Sequence, residues 1–483
     1  MSQAGPAQPI QAPARTARTR LQHLAAVILG ALLLCWPAFY NGFPLLYPDS
    51  MTYLDDGRTV ARAVFLHQFS SYYGVRSFFY SLGILPFHWN ISPWPIVFLQ
   101  SLLVAWVLWL VVRSVAPRQT VLRYLSVVLA LSLLTGTSWF SVFIMPDILG
   151  PLVYLSYYLL VFASETLSRA ERFSLYPIAV WGITAHATHL VLAGGLILLL
   201  AIYAALERRR FLPRIKSVAE TAAILAVAAA AQLALHGYLY GKPSLNGERP
   251  PYLMARVIAD GPGREFLETH CALAQFAICN RMPLHSDDPD DFLWGDDGAY
   301  AGASSRLRDQ ICQQEMPFVK AVLRAYPREQ LRKSGSNFLD QLKAFGIYGF
   351  DPSLWLLDQF DTVLPQSRAR YLASRQQRNL LPLDQFTSIQ FFTVLASLVI
   401  VSVSIPFLWR HPNPKLAGLS VVVGAIVAAN AFVTGVLSMV DDRYGCRVIW
   451  LIPLLAALFL LDWLNRWQAR KEIRMRANQE RPV

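Results

Sequence analysis

The chain is predicted to be an all-α polytopic membrane protein, with about ten transmembrane helices and a mainly helical outer (periplasmic) domain. Hydrophobic residues make up 54% of its 483 residues and charged residues only 15%, which is too apolar for a soluble protein of this length. Runs of about 20 apolar residues, long enough to cross a bilayer core of roughly 30 Å, recur along the chain. The distribution of charge is the third observation.

Basic residues are concentrated on one side of the predicted spans. The short segments on that side carry 21 Lys and Arg and 7 Asp and Glu. The segments on the other side carry 22 Lys and Arg and 24 Asp and Glu. The positive-inside rule assigns the basic face, and with it both termini, to the cytoplasm. The formal net charge of +12 therefore orients a membrane protein, and no nucleic acid partner is expected.

The first span is predicted at residues 21–40. Residues 1–20 are expected to form a disordered cytoplasmic N-terminus, since the first fourteen are rich in Pro, Ala and Gln. Arg15, Arg18 and Arg20 precede the apolar run. Trp36 and Pro37 stand where a removable signal peptide has small residues, so the run is interpreted as a retained span.

The next segment, 41–73, is predicted to form an outer loop. It contains an interfacial helix at 50–69, because Tyr53, Val60 and Val64 recur at helical spacing. The apolar segment 77–89 is too short to span. The predicted spans form an N-terminal transmembrane module at 21–237 and C-terminal transmembrane helices at 386–465, and a basic cytoplasmic tail follows at 466–483. The spans after the first are predicted at 94–112, 123–140, 148–164, 174–187, 188–206, 216–237, 386–408, 416–439 and 448–464.

Residues 174–206 are predicted to enter and leave the membrane on the same side. Arg172 and the arginines at 208–210 flank the segment, so both of its ends are cytoplasmic. A hairpin satisfies this condition and places His186 and His189 at its tip. The first arm is short, so the tip lies within the outer leaflet, where a polar segment is tolerated only against protein or a water-filled cavity.

The largest soluble segment, 238–385, is predicted to form the outer domain, with amphipathic helices at 317–326 and 328–345. Cys271, Cys279 and Cys312 lie in this domain. An oxidising compartment would allow one disulfide among them, and its pairing stays open. The acidic run 287–291 is interpreted as a solvated loop, with calcium binding as the alternative.

Four polar clusters are expected to converge at the outer ends of the spans. Ionisable groups at membrane depth cost at least about 2.5 kcal/mol each on insertion scales, so they usually face a cavity or a partner. The clusters are Asp49 with Asp55 and Asp56, then Asp147, then His186 with His189, and finally Asp441, Asp442, Arg443 and Tyr444 with Arg447.

The residues of each cluster could also stabilise the fold without taking part in function. Asp49 and Asp147 each precede a predicted helix, where an aspartate can cap the first turn. His186 and His189 would share a helix face, which allows metal binding but also hydrogen-bonded packing.

The arginines and the remaining acids leave similar alternatives. Arg443 and Arg447 could bind phosphate through their planar forks, or could pair with the acids at 441 and 442. Asp55 and Asp56 could be solvated, or could hold a divalent cation such as Mg²⁺ or Mn²⁺. The sequence points to no other cofactor.

The stretch Tyr47-Pro48-Asp49-Ser50-Met51-Thr52-Tyr53, directly after the first span, resembles the first outer loop of the GT-C superfamily of multi-span glycosyltransferases. The resemblance extends to architecture over nearly the whole chain, but to motif over this short stretch only. The superfamily has a bacterial branch that adds sugars to lipopolysaccharide, lipid A or proteins. Ser50 stands where many members have a second acid, which leaves metal dependence open.

The resemblance implies an inverting transfer of sugar from a polyprenyl phosphate to an envelope glycan, lipid or protein, at the outer face of the inner (plasma) membrane. Asp49 maps onto the catalytic acid, which acts as general base. Asp147 maps onto a second acid, and Arg443 onto an arginine directed to the lipid phosphate. The further substrate-binding residues that the resemblance implies are Tyr53, Arg76, His186, His189, Tyr444 and Arg447.

Other function classes stay open. A polysaccharide polymerase or ligase would use an undecaprenyl-linked oligosaccharide, and donor length would distinguish it. A lipid or solute transporter (flippase) would place charges near mid-membrane and often has repeated halves, neither of which is evident in the sequence. An assembly factor for envelope polysaccharide would bind a partner through the outer domain and would show no turnover.

Overall fold

A computed structural model describes residues 17–70, 76–206, 215–247 and 249–479. The structure is 78% helical and contains no strand within these ranges, which confirms the all-α prediction. An isolated parallel β-bridge joins Leu45 to Phe143. Residues 1–16, the larger part of the N-terminus that is expected to be disordered, lie outside the described residues.

The helices are numbered in chain order. The first part of the chain forms α1 (Ala17–Leu34), α2 (Trp36–Asn41), α3 (Pro48–Leu66), α4 (Phe78–His88), α5 (Trp94–Val115), α6 (Thr120–Leu134), α7 (Thr137–Ser141), α8 (Leu149–Phe162), α9 (Arg169–Thr184), α10 (Ala187–Leu206) and α11 (Ile215–Tyr240). A middle part forms α12 (Tyr252–Ala259), α13 (Pro262–Ala274), α14 (Pro289–Trp294), α15 (Ser305–Ala325), α16 (Pro327–Lys343), α17 (Leu354–Val363) and α18 (Arg368–Leu372). The chain ends with α19 (Leu383–Arg410), α20 (Pro414–Ala431), α21 (Asp442–Ile449) and α22 (Leu451–Gln479).

Within the described residues, seven helical segments are long and apolar enough to cross a membrane. This number and length are those of a multi-pass membrane protein. The segments are Leu21–Asn41, Trp94–Val115, Ala187–Leu206, Ile215–Tyr240, Leu383–Leu408, Pro414–Val436 and Asp442–Glu472.

Each of the ten predicted spans falls on a helix, but three of these helices are short. Helices α6, α8 and α9 have 15, 14 and 16 residues, which is about 21–24 Å at 1.5 Å per residue. A bilayer core is roughly 30 Å thick. The crossing of the membrane by these three helices, and with it the count of ten, stays a prediction.

Helices continue past several predicted boundaries. Helix α1 begins at Ala17, inside the segment that is expected to be disordered, and α22 continues to Gln479 through most of the predicted basic tail. A helix that has already formed extends easily through arginine, lysine and glutamate, which have high helix propensity. The arginines at 208–210, which flank the predicted hairpin, lie outside the described residues.

Helix α8 lies at the centre of the bundle. All of its residues are buried, and it packs against α5, α9 and α20. A helix that is apolar on every side is stable only when neighbouring helices cover all of them. The short 3₁₀ turn Pro146–Ile148, which leads into α8 and carries Asp147, is therefore held in the interior.

Helices α12 to α15 surround a second hydrophobic core, and we call these helices, together with α16, which packs against α15, the helical domain. Met254, Ile258, Phe266, Phe292 and Phe318 belong to this core. The end of the bundle against which the helical domain packs is called the domain face.

The structure shows which cysteines of the helical domain form a disulfide. Cys271 forms a disulfide with Cys279, eight positions later in the sequence, and Cys312 is free. Helix α15 begins at Ser305, well before the predicted start at 317, with Pro317 in its interior. Its buried apolar face stabilises the helix despite the hydrogen bond that an interior proline removes.

Candidate functional site

Two loops at the domain face run side by side. The backbone N–H of Leu45 donates to the carbonyl of Val142 at 3.2 Å, and the N–H of Ile144 donates to the carbonyl of Leu45 at 3.0 Å. The buried side chain of Gln376 accepts from the N–H of Leu46 and donates to its carbonyl, at 3.1 and 2.6 Å. The segments that lead to Asp49 and Asp147 are thereby joined before either acid is reached.

Asp49 lies in the first turn of α3 and forms an ion pair. Its Oδ1 is 2.6 Å from Nη2 of Arg76, and both side chains are largely buried. The predicted capping role is wrong for this residue, because Tyr47 occupies the N-cap position and its N–H donates to Oγ of Ser50 at 2.9 Å. The positive end of the helix dipole and the guanidinium both attract a negatively charged side chain at this position.

Arg76 connects Asp49 to the helical domain. Its guanidinium carbon lies 5.0 Å from the ring centre of Trp294, in α14. Burial works against the charge on Arg76, but the carboxylate of Asp49 outweighs it and raises the pKa of Arg76 above its usual value. Asp49 therefore stabilises the charge of a largely buried arginine.

Asp147 is 2% exposed, and its nearest counter-charge is Nη1 of Arg447 at 3.7 Å. Within the described residues, neither of its carboxylate oxygens has a hydrogen-bond partner, and it makes no bond that caps α8. A buried carboxylate normally accepts several hydrogen bonds. Asp147 therefore presents two unsatisfied acceptors to the interior of the site.

Arg447 holds three helices together at this point. Its Nε and Nη2 donate to Oδ1 of Asn430 at 3.1 and 2.9 Å, and Nη2 also lies 3.3 Å from Oγ1 of Thr188. These contacts join α21 to α20 and to the first turn of α10. They leave Nη1 directed at Asp147 without a hydrogen-bond partner in the described part of the chain.

Arg443 has the least constrained guanidinium of the three arginines. Its carbon lies 4.4 Å from the ring centre of Tyr47 and 5.1 Å from that of Tyr444. Its Nη1 is buried and has no hydrogen-bond partner among the described residues. Charges on Asp147 and Asp49 act on it without either acid forming a short ion pair with it.

The acids at 441 and 442 serve the backbone and do not pair with the arginines. Oδ1 of Asp441 accepts from the N–H of Arg443 at 2.7 Å, which caps α21. Oδ1 of Asp442 accepts from the N–H of Gly346 at 2.6 Å. The prediction that these acids could neutralise Arg443 and Arg447 is therefore wrong.

The two histidines lie where α9 ends and α10 begins. Nδ1 of His186 is 2.8 Å from Oγ1 of Thr188, and Nδ1 of His189 is 2.8 Å from the carbonyl of Gly182. Their ring centres are 5.3 Å apart. A Cβ at Gly150 would lie only 2.7 Å from Nε2 of His189, so the close approach of α8 requires glycine there. Both rings are packed against the site and bonded through one nitrogen each.

Tyr53 and the acids after it have different surroundings. Tyr53 is 2% exposed and packs edge-to-face on Tyr80, with ring centres 4.9 Å apart. Asp55 is exposed, whereas Asp56 is buried on another side of α3. No group of three His, Cys, Asp or Glu side chains that could hold a metal ion occurs in the described ranges. Asp55 and Asp56, the possible metal ligands, are therefore not joined there by a third His, Cys, Asp or Glu side chain.

The helical domain contributes residues that the sequence did not predict. The carboxylate of Asp288 accepts from the N–H of Asp290 at 2.8 Å and so caps α14. Burial and the neighbouring Asp288 raise the pKa of Asp290, which also interacts with Asp49 and Arg443. The four acids of the run 287–291 are solvent-exposed, as the sequence indicates, but the run begins the short helix α14 and is not a loop. Trp294 at the end of this helix contacts Arg76. The spacing of the acids in the sequence could not show that this segment lies near Asp49 and Arg443.

Two buried glutamines hold the segments around the site in place, and the sequence analysis did not predict this role for them. Gln100 donates to the carbonyls of Ser141 and Phe143 at 3.2 and 2.8 Å. Gln390 accepts from the N–H of Gly136 and donates to the carbonyl of Phe345. An isolated glutamine within an apolar run is a signal that sequence reasoning could have used, since such a side chain needs a partner inside the membrane.

The chemistry of the site follows from its charges. Asp49, Arg76, Asp147, Arg443 and Arg447 lie at its centre, and Asp290 and Asp441 add two acids near Arg443, so the set has no excess of positive charge. The guanidinium of Arg443 still has a nitrogen without a hydrogen-bond partner in the described chain, and such a nitrogen can bind an anion with several oxygens, such as a phosphate. The carboxylate of Asp49, near the surface of the domain face, can accept a proton.

The chain was compared with protein-family models, with curated proteins and with solved structures, and no match was found in any of the three.

Proposed function

We propose that the chain is a membrane glycosyltransferase that moves a sugar from a polyprenyl phosphate to an acceptor at the domain face. One observation carries the proposal: Asp49 and Asp147, from distant parts of the chain, both interact electrostatically with Arg443, while Asp49 pairs with Arg76 and Asp147 faces Arg447. The site combines a base for an acceptor hydroxyl with free cationic donors for a phosphate. The resemblance of residues 47–53 to the first outer loop of GT-C enzymes supports the same assignment.

In the proposed reaction, Asp49 is the general base. It takes the proton of the acceptor hydroxyl, and the oxygen attacks the anomeric carbon from the side opposite the phosphate. The bond between that carbon and the phosphate oxygen breaks, and its electron pair leaves with the phosphate. The configuration at the anomeric carbon is inverted. The products are the glycosylated acceptor and the polyprenyl phosphate.

Arg443 is assigned to the leaving phosphate. Arg76 is engaged by Asp49, and Arg447 by Asn430 and Asp147, whereas Nη1 of Arg443 has no hydrogen-bond partner among the described residues. A preorganised guanidinium in a site of low dielectric constant stabilises charge that develops in the transition state.

Asp147 is assigned a supporting role as the second acid. Its charge holds Arg447 near the site and leaves two acceptors for substrate hydroxyl groups. Charge neutralisation is assigned to the arginines, because a nitrogen of Arg443 and one of Arg447 have no hydrogen-bond partner among the described residues.

The proposed location is the inner (plasma) membrane, with both termini in the cytoplasm and the domain face outside. The excess of Lys and Arg in the predicted cytoplasmic segments supports this orientation. The disulfide between Cys271 and Cys279 supports it as well, since disulfides persist in oxidising compartments.

Turnover by the purified protein is the test of this function. The full chain in lipid nanodiscs is incubated with undecaprenyl phosphate carrying a radiolabelled hexose or pentose, and with an extract of envelope glycans and lipids. The wild type is expected to release undecaprenyl phosphate and label an acceptor. Asp49→Asn is expected to lower the rate about 10²–10⁴-fold, the usual contribution of a general base.

Asp55→Asn is the matched control, because Asp55 lies on the same helix with its side chain exposed. It is expected to retain the wild-type rate. Full activity of Asp49→Asn would remove Asp49 from the mechanism. Movement of the lipid across the bilayer without cleavage of the sugar would instead identify a transporter.

A further inference from the structure

A buried arginine lies at the end of the bundle opposite the domain face. Arg123, in the first turn of α6, is 4% exposed. Its Nη1 and Nη2 donate to the side-chain oxygens of Asn465 and Gln468, at 2.5 and 3.3 Å. Both acceptors are amides of α22, about four turns or more past the start of that helix at Leu451. The contact therefore joins two helices but supplies no negative charge.

The charge of Arg123 has no counter-charge in the described part of the chain. Arg466, next to Asn465 in the sequence, pairs with Asp462, whereas Arg123 pairs with no acid among the described residues. Its Nε is buried and has no hydrogen-bond partner there. A guanidinium carries five N–H donors, and a buried charge without a partner is costly. Arg123 therefore has both the charge and the spare donors to bind an anion.

A second arginine adds to the positive charge at this point. Arg118, in the loop between α5 and α6, is exposed, and its charge acts on Arg123. Two cations close to each other repel, which makes an anion between them more favourable. The planar fork of a guanidinium matches the oxygens of a phosphate group. The arrangement therefore favours a phosphate over a small monovalent anion.

The amide of Gln468 borders the exposed face of α22. Gln468 follows Leu464 by four positions and precedes Lys471 by three, so the three side chains share one face of the helix. Leu464 is 39% exposed, and Trp467 is 59% exposed and lies 5.5 Å below Nζ of Lys471. Tryptophan at the end of a span is typical of the head-group level of a bilayer. Arg123 therefore lies beside a surface that meets lipid head groups.

We propose that Arg123 and Arg118, together with Gln468, form a binding site for the phosphate of an anionic phospholipid in the leaflet opposite the domain face. Basic pockets between spanning helices bind such head groups, because the lipid supplies its phosphate at the depth where the helices end. The bound lipid neutralises Arg123 and stabilises the packing of α6 against α22. The site is separate from the charged site at the domain face and takes no part in the proposed sugar transfer.

The test measures lipid binding to the purified full-length protein in detergent by native mass spectrometry. The probes are phosphatidylglycerol, which is anionic, and phosphatidylcholine, which carries the same acyl chains but has no net charge. The wild type is expected to bind phosphatidylglycerol about tenfold more tightly, because arginines near a head group favour the anionic lipid.

Two substitutions remove the unpaired charge in different ways. Arg123→Met removes the cation, and Gln468→Glu gives Arg123 a carboxylate of nearly the same shape as the amide that it contacts. Both variants are expected to lose the tenfold preference for phosphatidylglycerol. Gln468→Glu is also expected to melt higher than the wild type without added lipid, because the buried cation gains a partner. This variant carries the test if Arg123→Met fails to fold.

Arg470→Gln is the matched control. Arg470 is exposed on the same helix, two positions after Gln468 and therefore on the opposite side. It removes one positive charge at the same end of the bundle without touching the proposed site. The variant is expected to keep the wild-type preference for phosphatidylglycerol.

Equal affinity of the wild type for the two lipids would overturn the assignment, and so would an undiminished preference in folded Gln468→Glu. Inorganic phosphate is added as a competitor. If it displaces phosphatidylglycerol at equal concentration, the site takes a soluble anion, and the lipid assignment is wrong. None of these measurements involves sugar transfer, so their outcome is independent of the proposed function.

Discussion

At the scale of single residues, the three arginines of the site differ in how firmly they are held. Arg447 and Asp147 form the one ion pair of the described chain in which both side chains are at most 2% exposed. Arg76 is paired in a half-buried position, and Arg443 rests on two tyrosine rings. The arginine with the fewest fixed partners is the one best able to gain a ligand.

The buried pair predicts a large cost when only one member is removed. Arg447→Met leaves the carboxylate of Asp147 buried and without a counter-charge, which is expected to destabilise the protein by about 3–5 kcal/mol. The double variant Asp147→Asn with Arg447→Met removes the stranded charge and is expected to recover part of that loss. Thermal unfolding of the three proteins in the same detergent measures both effects.

Arg332→Met is the control for this comparison, because Arg332 is exposed on α16. It is expected to unfold within a degree or two of the wild type, the behaviour of most surface substitutions. Equal stability of the single and double variants would contradict a charge-based role for the pair.

Asp290 predicts a pH-dependent effect. Partial desolvation and the neighbouring Asp288 raise its pKa in the folded protein, so ionisation of this carboxyl costs stability once the pH exceeds the unfolded value of about 3.9. The effect on stability is small, because the side chain is exposed and solvent screens its charge. Asp290→Asn removes that cost. The variant is expected to melt higher than the wild type at pH 7.5, and the difference is expected to shrink as the pH falls through the raised pKa toward 4.

Paired melting curves at pH 7.5 and pH 4 measure this difference. Asp297→Asn is the control, since Asp297 is an exposed acid in the loop that follows α14. A gain that is the same at both pH values would mean that the charge of Asp290 is not its cause. A gain for Asp290→Asn at neutral pH is the usual sign of a residue placed for function rather than for stability.

At the scale of helices, α16 connects the helical domain to the site through one polar stripe. Gln330, Asn337 and Gln341 are 7 and 4 residues apart and therefore lie on one face of the helix. Gln330 and Asn337 donate to the buried carboxylate of Asp260 at 2.6 and 2.9 Å. Gln341 donates to the carbonyl of Asp441 at 2.8 Å and accepts from its N–H at 2.9 Å.

Substitution of Gln341 tests this connection. Gln341→Leu removes the two hydrogen bonds to the backbone N–H and carbonyl of Asp441, which is expected to cost about 0.5–1.5 kcal/mol for each, because Asp441 is half-buried. Asp441 caps the helix that carries Arg443, so the guanidinium is expected to lose its position, and affinity for undecaprenyl phosphate is expected to fall. Binding and melting temperature are measured on the same preparation.

Gln313→Leu is the matched control, because it removes an exposed glutamine from the neighbouring helix α15. It is expected to leave binding of the lipid phosphate unchanged. A Gln341→Leu protein that is less stable but binds undecaprenyl phosphate with wild-type affinity would limit Gln341 to a structural role.

The sequence predicted the bounds of some helices closely but did not predict which face of α16 is buried. The long apolar runs predicted α5, α10, α11 and α19 closely, because the bilayer imposes both length and composition on such segments. The polar stripe of α16 was not predictable. Its buried residues are amides, which a pattern of hydrophobicity assigns to the solvent-facing side.

At the scale of the whole molecule, opposite ends of the bundle differ in how their charges are used. Away from the domain face, Arg113 forms two hydrogen bonds with Glu171 at 2.5 and 2.9 Å, and Arg466 pairs with Asp462 at 2.6 Å. Each of these two arginines forms an ion pair with an acid. At the domain face, the carboxylate of Asp147 has no hydrogen-bond partner among the described residues. At the opposite end, buried Arg123 binds only the amide oxygens of Asn465 and Gln468, and its Nε has no partner in the described part of the chain.

The proposed orientation predicts a labelling pattern. Arg332→Cys on the helical domain and Arg470→Cys near the end of α22 both substitute exposed residues. In intact cells, a membrane-impermeant maleimide is expected to label the first variant, and the second only after the inner membrane is permeabilised. The wild type serves as the control for its own cysteines. The reverse pattern would place the domain face in the cytoplasm and contradict the proposed reaction at the outer face.

The sequence alone determined the membrane class, the helical content and the candidate acids and arginines, because hydrocarbon and charge asymmetry constrain composition directly. Only the tertiary structure decided what each charged group does: that Asp49 pairs with Arg76, that Asp147 faces Arg447, and that α14 borders the site. Partners of this kind come from segments far apart in the chain. Local periodicity carries no information about which distant segments the packing of apolar helices brings into contact.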